Sequence, residues 1–327
     1  MNRSSVTLCA IVVAAFAMAP IQAYSQAKYP AQPIRVVVPF SPGGVVDTIA
    51  RLWVQQVESS LGRIIVDNRG GAGGTIGAGE VARAKPDGYT ILLGNTSTQI
   101  LNPALMKPAP YDPAKEFVTI DIIAISATSI TVHPSVPARN LKQLIQYAKA
   151  NPGKLAYGSA GAGTLTHVAG EMLKQRAGGL SIVHVPYKGA GPGIADLISG
   201  YVPMMTPNVT SRLLNLHRDG RVRILAVNAP QPLKGAPDLP LSKDALPGMI
   251  AQLFTGLFAP AGTPQAVIDS LSQVTRKAQS NKKFQEALIS SGFEPVLESS
   301  AAAAQRYVNE EQERFMPLLK SLDLSGK

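Results

Sequence analysis

Short β-branched apolar runs alternate with longer amphipathic stretches along almost the whole chain, and that rhythm restricts the fold more than any other feature. Runs at residues 34–38, 64–66, 90–93, 122–125, 130–132, 156–158, 182–185, 223–227 and 253–258 read as strands. Helical spacing fills the intervals at 46–61, 77–84, 140–151, 165–177, 191–200 and 264–280, with more helix to the end. Strand and helix taking turns in this way predicts an α/β architecture of mostly parallel sheets flanked by helices. A chain of this length divides into two such sheets.

No Ser/Gly or Pro-rich linker separates two halves. Two apolar runs, near 122–132 and 253–258, are instead placed to pass between lobes, and the helices after Pro264 return to the first. The expected division is a discontinuous first lobe of 28–126 plus 256–327 and a second lobe of 127–255, with a hinge at the double crossing. Thr263 before Pro264 reads as a helix cap with proline in the first turn.

The N-terminus reads as a processed leader spanning 1–27. Arg3 supplies the positive end, 8–19 the apolar stretch, and small-residue cleavage sites end at Ala23 and Ala27. The apolar stretch is too short for a membrane span, which needs roughly 20 residues. The expectation is an exported, soluble, periplasmic protein. Cys9, the single cysteine, lies in that leader, so no disulfide, zinc-thiolate or cysteine nucleophile is expected in the mature chain.

The 31 Lys and Arg residues exceed the 21 Asp and Glu, for a net charge of +10. The basic residues are scattered, without runs or interleaved aromatics, so no nucleic acid is expected as a partner. A modest positive field still favours anionic solutes.

Two glycine-rich loops carry the chemistry. PFSPGGVVD (39–47) and YGSAGAGTLTH (157–167) each follow a strand-like run and open a helix. Backbone N–H groups at a helix start favour an anion by roughly 0.3 to 1 kcal/mol per charge at exposed sites. In the first loop Gly43 and Gly44 permit close backbone approach. Asp47, in the first helical turn, competes for the same donors and reads better as a cap than as a ligand contact. In the second, hydroxyls of Ser159, Thr164 and Thr166 gather around Gly161 and Gly163. His167 stands four residues before Glu171, a spacing that suits a packing pair better than two ligands of a metal site. No metal or cofactor is expected.

Two further segments join the candidates. HVPYKGAGP (184–192) offers Tyr187 and Lys188 as an aromatic wall and an ammonium, or equally as a packed tyrosine beside a solvated lysine. NTST (95–98) puts Asn95 and Ser97 at the carboxyl end of a strand, where open α/β sheets bind ligands. GGAGGTIGAG (70–79) lacks the spacing of a dinucleotide or phosphate loop and reads as tight packing at a lobe edge. Ser159 stands outside a GxSxG elbow, and no HExxH occurs.

In order along the chain, PFSPGGVVDTIAR, VDNRGGAGGTIGA, KPDGYTIL, NPGKLAYGSAGAGTLTH, HVPYKGAGP and APAGTP resemble the periplasmic solute-binding proteins of tripartite tricarboxylate transporters, the Bug family. The resemblance covers nearly the whole mature chain. It implies a two-lobed Venus-flytrap fold of type II-like form, whose loops close on a carboxylated solute held by backbone amides, hydroxyls and ordered water. Carried onto this chain, it points to Phe40, Gly43, Gly44, Val45, Val46 and Asp47 in one lobe. In the other it points to Ser159, Gly161, Gly163, Thr164 and His167, with Tyr187 nearby. Val45 and Val46 stand where many relatives place a polar residue, which favours a dicarboxylate or an aromatic carboxylate. Residues 226–241, AVNAPQPLKGAPDLPL, depart from the family's usual Lys-Arg and PDVPT-like turn, a change of outer surface.

The expected function is a monomeric binding protein, not an enzyme, that delivers an organic anion to membrane transport subunits or to a sensor. The alternatives are an orphan signalling receptor with the same pocket and an exported hydrolase using Ser159 or His167.

Overall fold

The computed structural model describes residues 29–297, 300–322 and 324; the expected leader lies outside the described residues. From Gln32 to Lys327 the chain forms one unit. β1 (Ile34–Val38) leads into α1 (Val45–Leu61), β2 (Ile64–Asn68), α2 (Thr75–Ala82) and β3 (Thr90–Asn95). A π-helical turn (Ser97–Leu101) and the short α3 (Asn102–Leu105) and α4 (Pro113–Glu116) precede a long β4 (Phe117–Ala127).

The next stretch runs β5 (Ser129–Val132), α5 (Leu141–Ala150), β6 (Leu155–Ser159), α6 (Leu165–Arg176), β7 (Ile182–Pro186), α7 (Ala190–Ser199), β8 (Met204–Met205), α8 (Ser211–Arg218) and β9 (Arg223–Val227). The chain returns along β10 (Gln252–Pro260) and closes with α9 (Gln265–Gln279), α10 (Lys282–Ser290), β11 (Glu294–Pro295) and α11 (Ala301–Leu322).

Two sheets result, and each defines a lobe. The first has six strands in the order β11-β4-β10-β3-β1-β2, the second five in the order β7-β6-β8-β5-β9. The α/β class stands, while the expectation of mostly parallel sheets needs correcting. Pairing is parallel in β2-β1-β3 and in β7-β6-β8, and antiparallel in β3-β10-β4-β11 and in β8-β5-β9. The reason lies in the crossing. β4 leaves the first sheet toward the second and β10 comes back, so the two run in opposite senses wherever they pair, from Gln252↔Ala127 to Pro260↔Phe117.

Between the sheets the crossing segments are tied to each other. Thr128 N–H donates to Ala251 O at 3.0 Å, Asn228 N–H to Thr128 O at 2.8 Å, and Asn228 Nδ2 to Thr128 Oγ1 at 2.7 Å. Residues 252–255 pair within the first sheet as part of β10.

Helices cover the sheets through apolar stripes at helical spacing. α1 buries Val46, Ile49, Ala50, Trp53, Val57 and Leu61. Trp53 has no exposed surface, and its Nε1 donates to Thr275 Oγ1 of α9 at 3.1 Å, which satisfies the indole where it is buried. Thr263 does not cap α9: its hydroxyl donates to Pro260 O at 2.7 Å, and Pro264 stands at the cap position. The second lobe is cored by Ile194, Leu197, Met205, Leu213, Ile224 and Val227. Among the described residues no helix is long and apolar enough to cross a membrane.

Candidate ligand-binding site

The two glycine loops meet where the lobes face each other. α1 starts after Gly44, whose backbone is extended and whose helix has no side-chain cap. The first-turn amides of α1 therefore have no acceptor within the helix. α6 starts after Thr164, whose hydroxyl caps it by accepting from His167 N–H.

Between the two helix starts lies a cavity of about 20 Å³. Phe40, Gly44, Val45, Val46, Asn95 and Ser97 line it from the first lobe, Ala160, Thr164, Thr166, Ala190 and Asn208 from the second, and Leu253 from β10. That volume holds a single water, not a solute. The walls touch around it: Leu165 N–H donates to Ser97 Oγ at 3.0 Å, and Ser41 Oγ donates to Lys188 O at 3.1 Å. The cleft is shut around this cavity.

Seven of the residues singled out in the sequence thus share one cavity: Phe40, Gly44, Val45, Val46, Asn95, Ser97 and Thr164. Gly43 does not line it. Its φ of +83° is the left-handed conformation that glycine adopts without strain, and its N–H donates to Asp47 Oδ2 at 3.1 Å. Asp47 is buried and turned away, accepting also from Arg51 Nε at 3.1 Å, Arg51 Nη2 at 3.0 Å and Asn68 Nδ2 at 3.1 Å. Burial alone would raise its pKa, but the bonds from Arg51, Gly43 and Asn68 hold the carboxylate below its ordinary range. Its charge is spent on the loop.

The second loop is also bonded to itself. Ala160 N–H donates to Thr166 Oγ1 at 2.8 Å, Gly161 N–H to Ser159 Oγ at 3.1 Å, and Gly163 N–H to His167 Nδ1 at 3.2 Å. Gly161, Gly163, His167 and Tyr187 face a separate space of about 310 Å³, shared with Gly73, Asn102 and Lys188. Tyr187 donates its hydroxyl to Asp196 Oδ2 at 2.8 Å. The hydroxyls of this loop are engaged as well: Thr164 Oγ1 donates to Gly161 O at 2.7 Å and lies 2.8 Å from Thr166 Oγ1, so a rigid, self-bonded loop faces the first-turn amides of α1.

Ser159 has no exposed surface and lies 2.7 Å from His184 Nε2. A serine beside an imidazole is the first half of an activated nucleophile. The second half is missing among the described residues, where no carboxylate is hydrogen-bonded to His184. The His184 ring is instead stacked between His167, 4.1 Å away, and Tyr157, 4.9 Å away. Glu171 pairs with Lys174 at 2.8 Å and accepts from Tyr157 Oη at 2.8 Å.

Burial, then the charge of His167, with Lys174 adding to it and Glu171 opposing, lowers the His184 pKa from 6.5 to about 3. The sign of the consequence is fixed by linkage. Between pH 6.5 and 3 the unfolded chain takes up a proton that the folded chain refuses, so stability falls as pH drops through that window. We expect the melting temperature to decline between pH 6.5 and 5, and His184→Gln to flatten that decline. Parallel curves for the two proteins would refute this role.

Sequence reasoning weighed Thr166 without placing it in the site and passed over Ala160, Ala190, Asn208 and Leu253. Asn208 follows β8, a strand of only two residues between Pro203 and Pro207, too short to leave a periodic signal. Its Nδ2 donates to Ser126 Oγ at 3.3 Å, beside the crossing segments.

Comparison with known proteins agrees with this architecture. Residues 49–324 match the family model for the tripartite tricarboxylate transporter family receptor. A UPF0065 protein in the tcbD-tcbE intergenic region of Pseudomonas sp. (strain P51) is 36% identical over 96% of this chain and 95% of its own length. Among solved structures, the periplasmic binding protein BugD superposes with a TM-score of 0.86 at 32% identity, covering 91% of this chain and 99% of that one. An R. palustris protein solved with adipate does so with a TM-score of 0.86 at 31% identity, covering 90% and 98%. With shared sequence over nearly its full length and the same two-lobed fold, the chain belongs to the tripartite tricarboxylate transporter receptor family, the solute-binding family that includes BugD.

Proposed function

We propose that this protein captures an organic carboxylate between its lobes in the periplasm and delivers it to the membrane subunits of a tripartite tricarboxylate-type transporter. One observation carries the reading. The uncapped start of α1 faces the self-bonded loop of Thr164 and Thr166 across one cavity, while Phe40, Val45, Val46 and Leu253 supply apolar walls. Amide donors at a helix start suit a carboxylate, and the apolar walls suit a hydrocarbon body of an aliphatic diacid or an aromatic acid. The crossing at Thr128 and between Asn228 and Ala251 serves as the hinge, and the lobe boundaries fall there. The ligand stabilises a state in which the lobes stand further apart than here, wide enough for the solute, while both walls still reach it.

A thermal-shift panel of mono-, di- and aromatic carboxylates tests the reading. A ligand at 100 times its Kd adds about 2.7 kcal/mol of stability, and the shift grows with concentration. A panel without a concentration-dependent shift would refute carboxylate binding. Reconstitution with the transporter's membrane subunits tests delivery separately.

A further inference from the structure

Two exposed cations, Lys188 and Arg212, stand at the seam between the lobes, and Arg212 is the one whose guanidinium lies against the glycine loop of the first lobe. Arg212 is the second residue of α8, which begins just after the segment carrying Asn208 of the cavity wall. Its side chain reaches the first lobe: a Cβ built on Gly43 would lie 3.1 Å from Arg212 Nη1. Gly44, the next residue, lines the cavity. Among the described residues Arg212 makes no hydrogen bond or ion pair. Other arginines near the lobe surfaces are engaged, Arg35 with Asp67 and Glu80, Arg51 with Asp47, and Arg69 with Asp67.

The placement has a cost that an anion would remove. A cation in the first turn of a helix sits at the positive end of the dipole. Across the seam, the start of α1 is positive for the same reason, and Asp47, the nearest carboxylate in sequence, is committed to Arg51, Asn68 and Gly43. The rim of the cavity therefore carries positive potential from both lobes with no protein anion assigned to it.

We propose that Arg212 reads the distal carboxylate of a dicarboxylate ligand. This rests on the carboxylate-binding reading above and names the substrate class of that site. One carboxylate takes the α1 amides, and the hydrocarbon body lies along Phe40, Val45 and Val46. The second carboxylate emerges beside Gly43, where the planar guanidinium can hold both of its oxygens. Because Arg212 belongs to the second lobe and Gly43 to the first, a diacid would bridge the lobes through this end as well, so it would favour closure more than a monoacid does.

The test uses two matched pairs, adipate with hexanoate and phthalate with benzoate, titrated calorimetrically into wild type, Arg212→Gln and Arg212→Lys. The expected result is that wild type prefers the diacid in at least one pair, that Arg212→Gln weakens that diacid about ten- to hundredfold, and that the monoacid changes less than about twofold. Arg212→Lys should restore part of the loss, since it keeps the charge and gives up the fork. Equal losses for both members of a pair would make Arg212 a closure contact and overturn the proposal. So would a wild type without preference for the diacid, or a preference that survives in Arg212→Gln. Failure of wild type to bind any carboxylate in the wider panel would instead overturn the carboxylate reading itself.

Discussion

Gly191→Ala is expected to weaken carboxylate binding about tenfold or more, a loss of about 1.4 kcal/mol or more, while the unligated protein melts no lower than wild type. Gly191 is the second residue of α7, next to Ala190 of the cavity wall. Its Cβ would run into the Pro42 carbonyl oxygen of the opposite lobe, a backbone atom that no rotamer change can move aside. With alanine in place the lobes cannot come as close as they stand here, which draws the α1 amides away from the wall formed by Ala160, Thr164 and Ala190.

Within the second lobe the same change is benign, because alanine is a better helix residue than glycine by roughly 0.5–1 kcal/mol. The variant therefore separates closure from folding. Calorimetric Kd values together with melting curves decide the matter, and an unchanged Kd would show that closure does not hold the ligand. Gly43, prominent in the sequence, is a poorer site for this experiment. Its positive φ makes any side chain strain the loop itself, and the nearest neighbour is the flexible end of Arg212.

Trp53→Ala is expected to destabilise the protein by about 3–5 kcal/mol, the range for deleting a large buried aromatic side chain. Trp53 is fully buried in α1 and joins it to α9 through the 3.1 Å bond to Thr275 Oγ1. Its removal leaves a cavity and an unpaired hydroxyl, both of which cost stability. Trp53→Phe should cost less, because most of the volume remains. Urea denaturation measures both variants, and a loss below about 1 kcal/mol for the alanine variant would mean that the site collapses without penalty. Since the first turn of α1 forms the cavity wall, ligand binding to the surviving folded fraction reports whether that turn keeps its position.

Much of the fold was legible because its elements are long enough to show a period. β1 and β9 occupy the predicted residues 34–38 and 223–227, where β-branched apolar runs, holding one arginine each, are bounded by loops. α1 starts one residue from its predicted start, after the glycine that admits the turn. β8 and β11, each of two residues, left no such trace. Nor did the π-helical turn at Ser97–Leu101, where Asn95 Oδ1 accepts from Ser97 N–H at 3.0 Å and from Thr98 N–H at 3.2 Å. The antiparallel pairing of β4 with β10 joins segments more than a hundred residues apart, and strand direction has no local signature.

The sequence by itself determined the α/β class and the two glycine loops, because each is written in local spacing and composition: apolar period, helix starts and residues without a Cβ. It also determined the family, through long motifs in order. Only the tertiary structure decided how those loops divide their labour. Gly161 and Gly163 look from the sequence like anion donors, yet their amides are bound to Ser159 and His167. Asp47 looks like a cap or a contact and is the anchor for Gly43, Arg51 and Asn68. Arg212 lies outside every motif and Gly191 is one unremarked glycine of HVPYKGAGP, and they matter because folding sets each against the opposite lobe. Hydrogen-bond partners and steric contacts between distant segments are properties of packing, and packing exists only once the lobes are built and brought together.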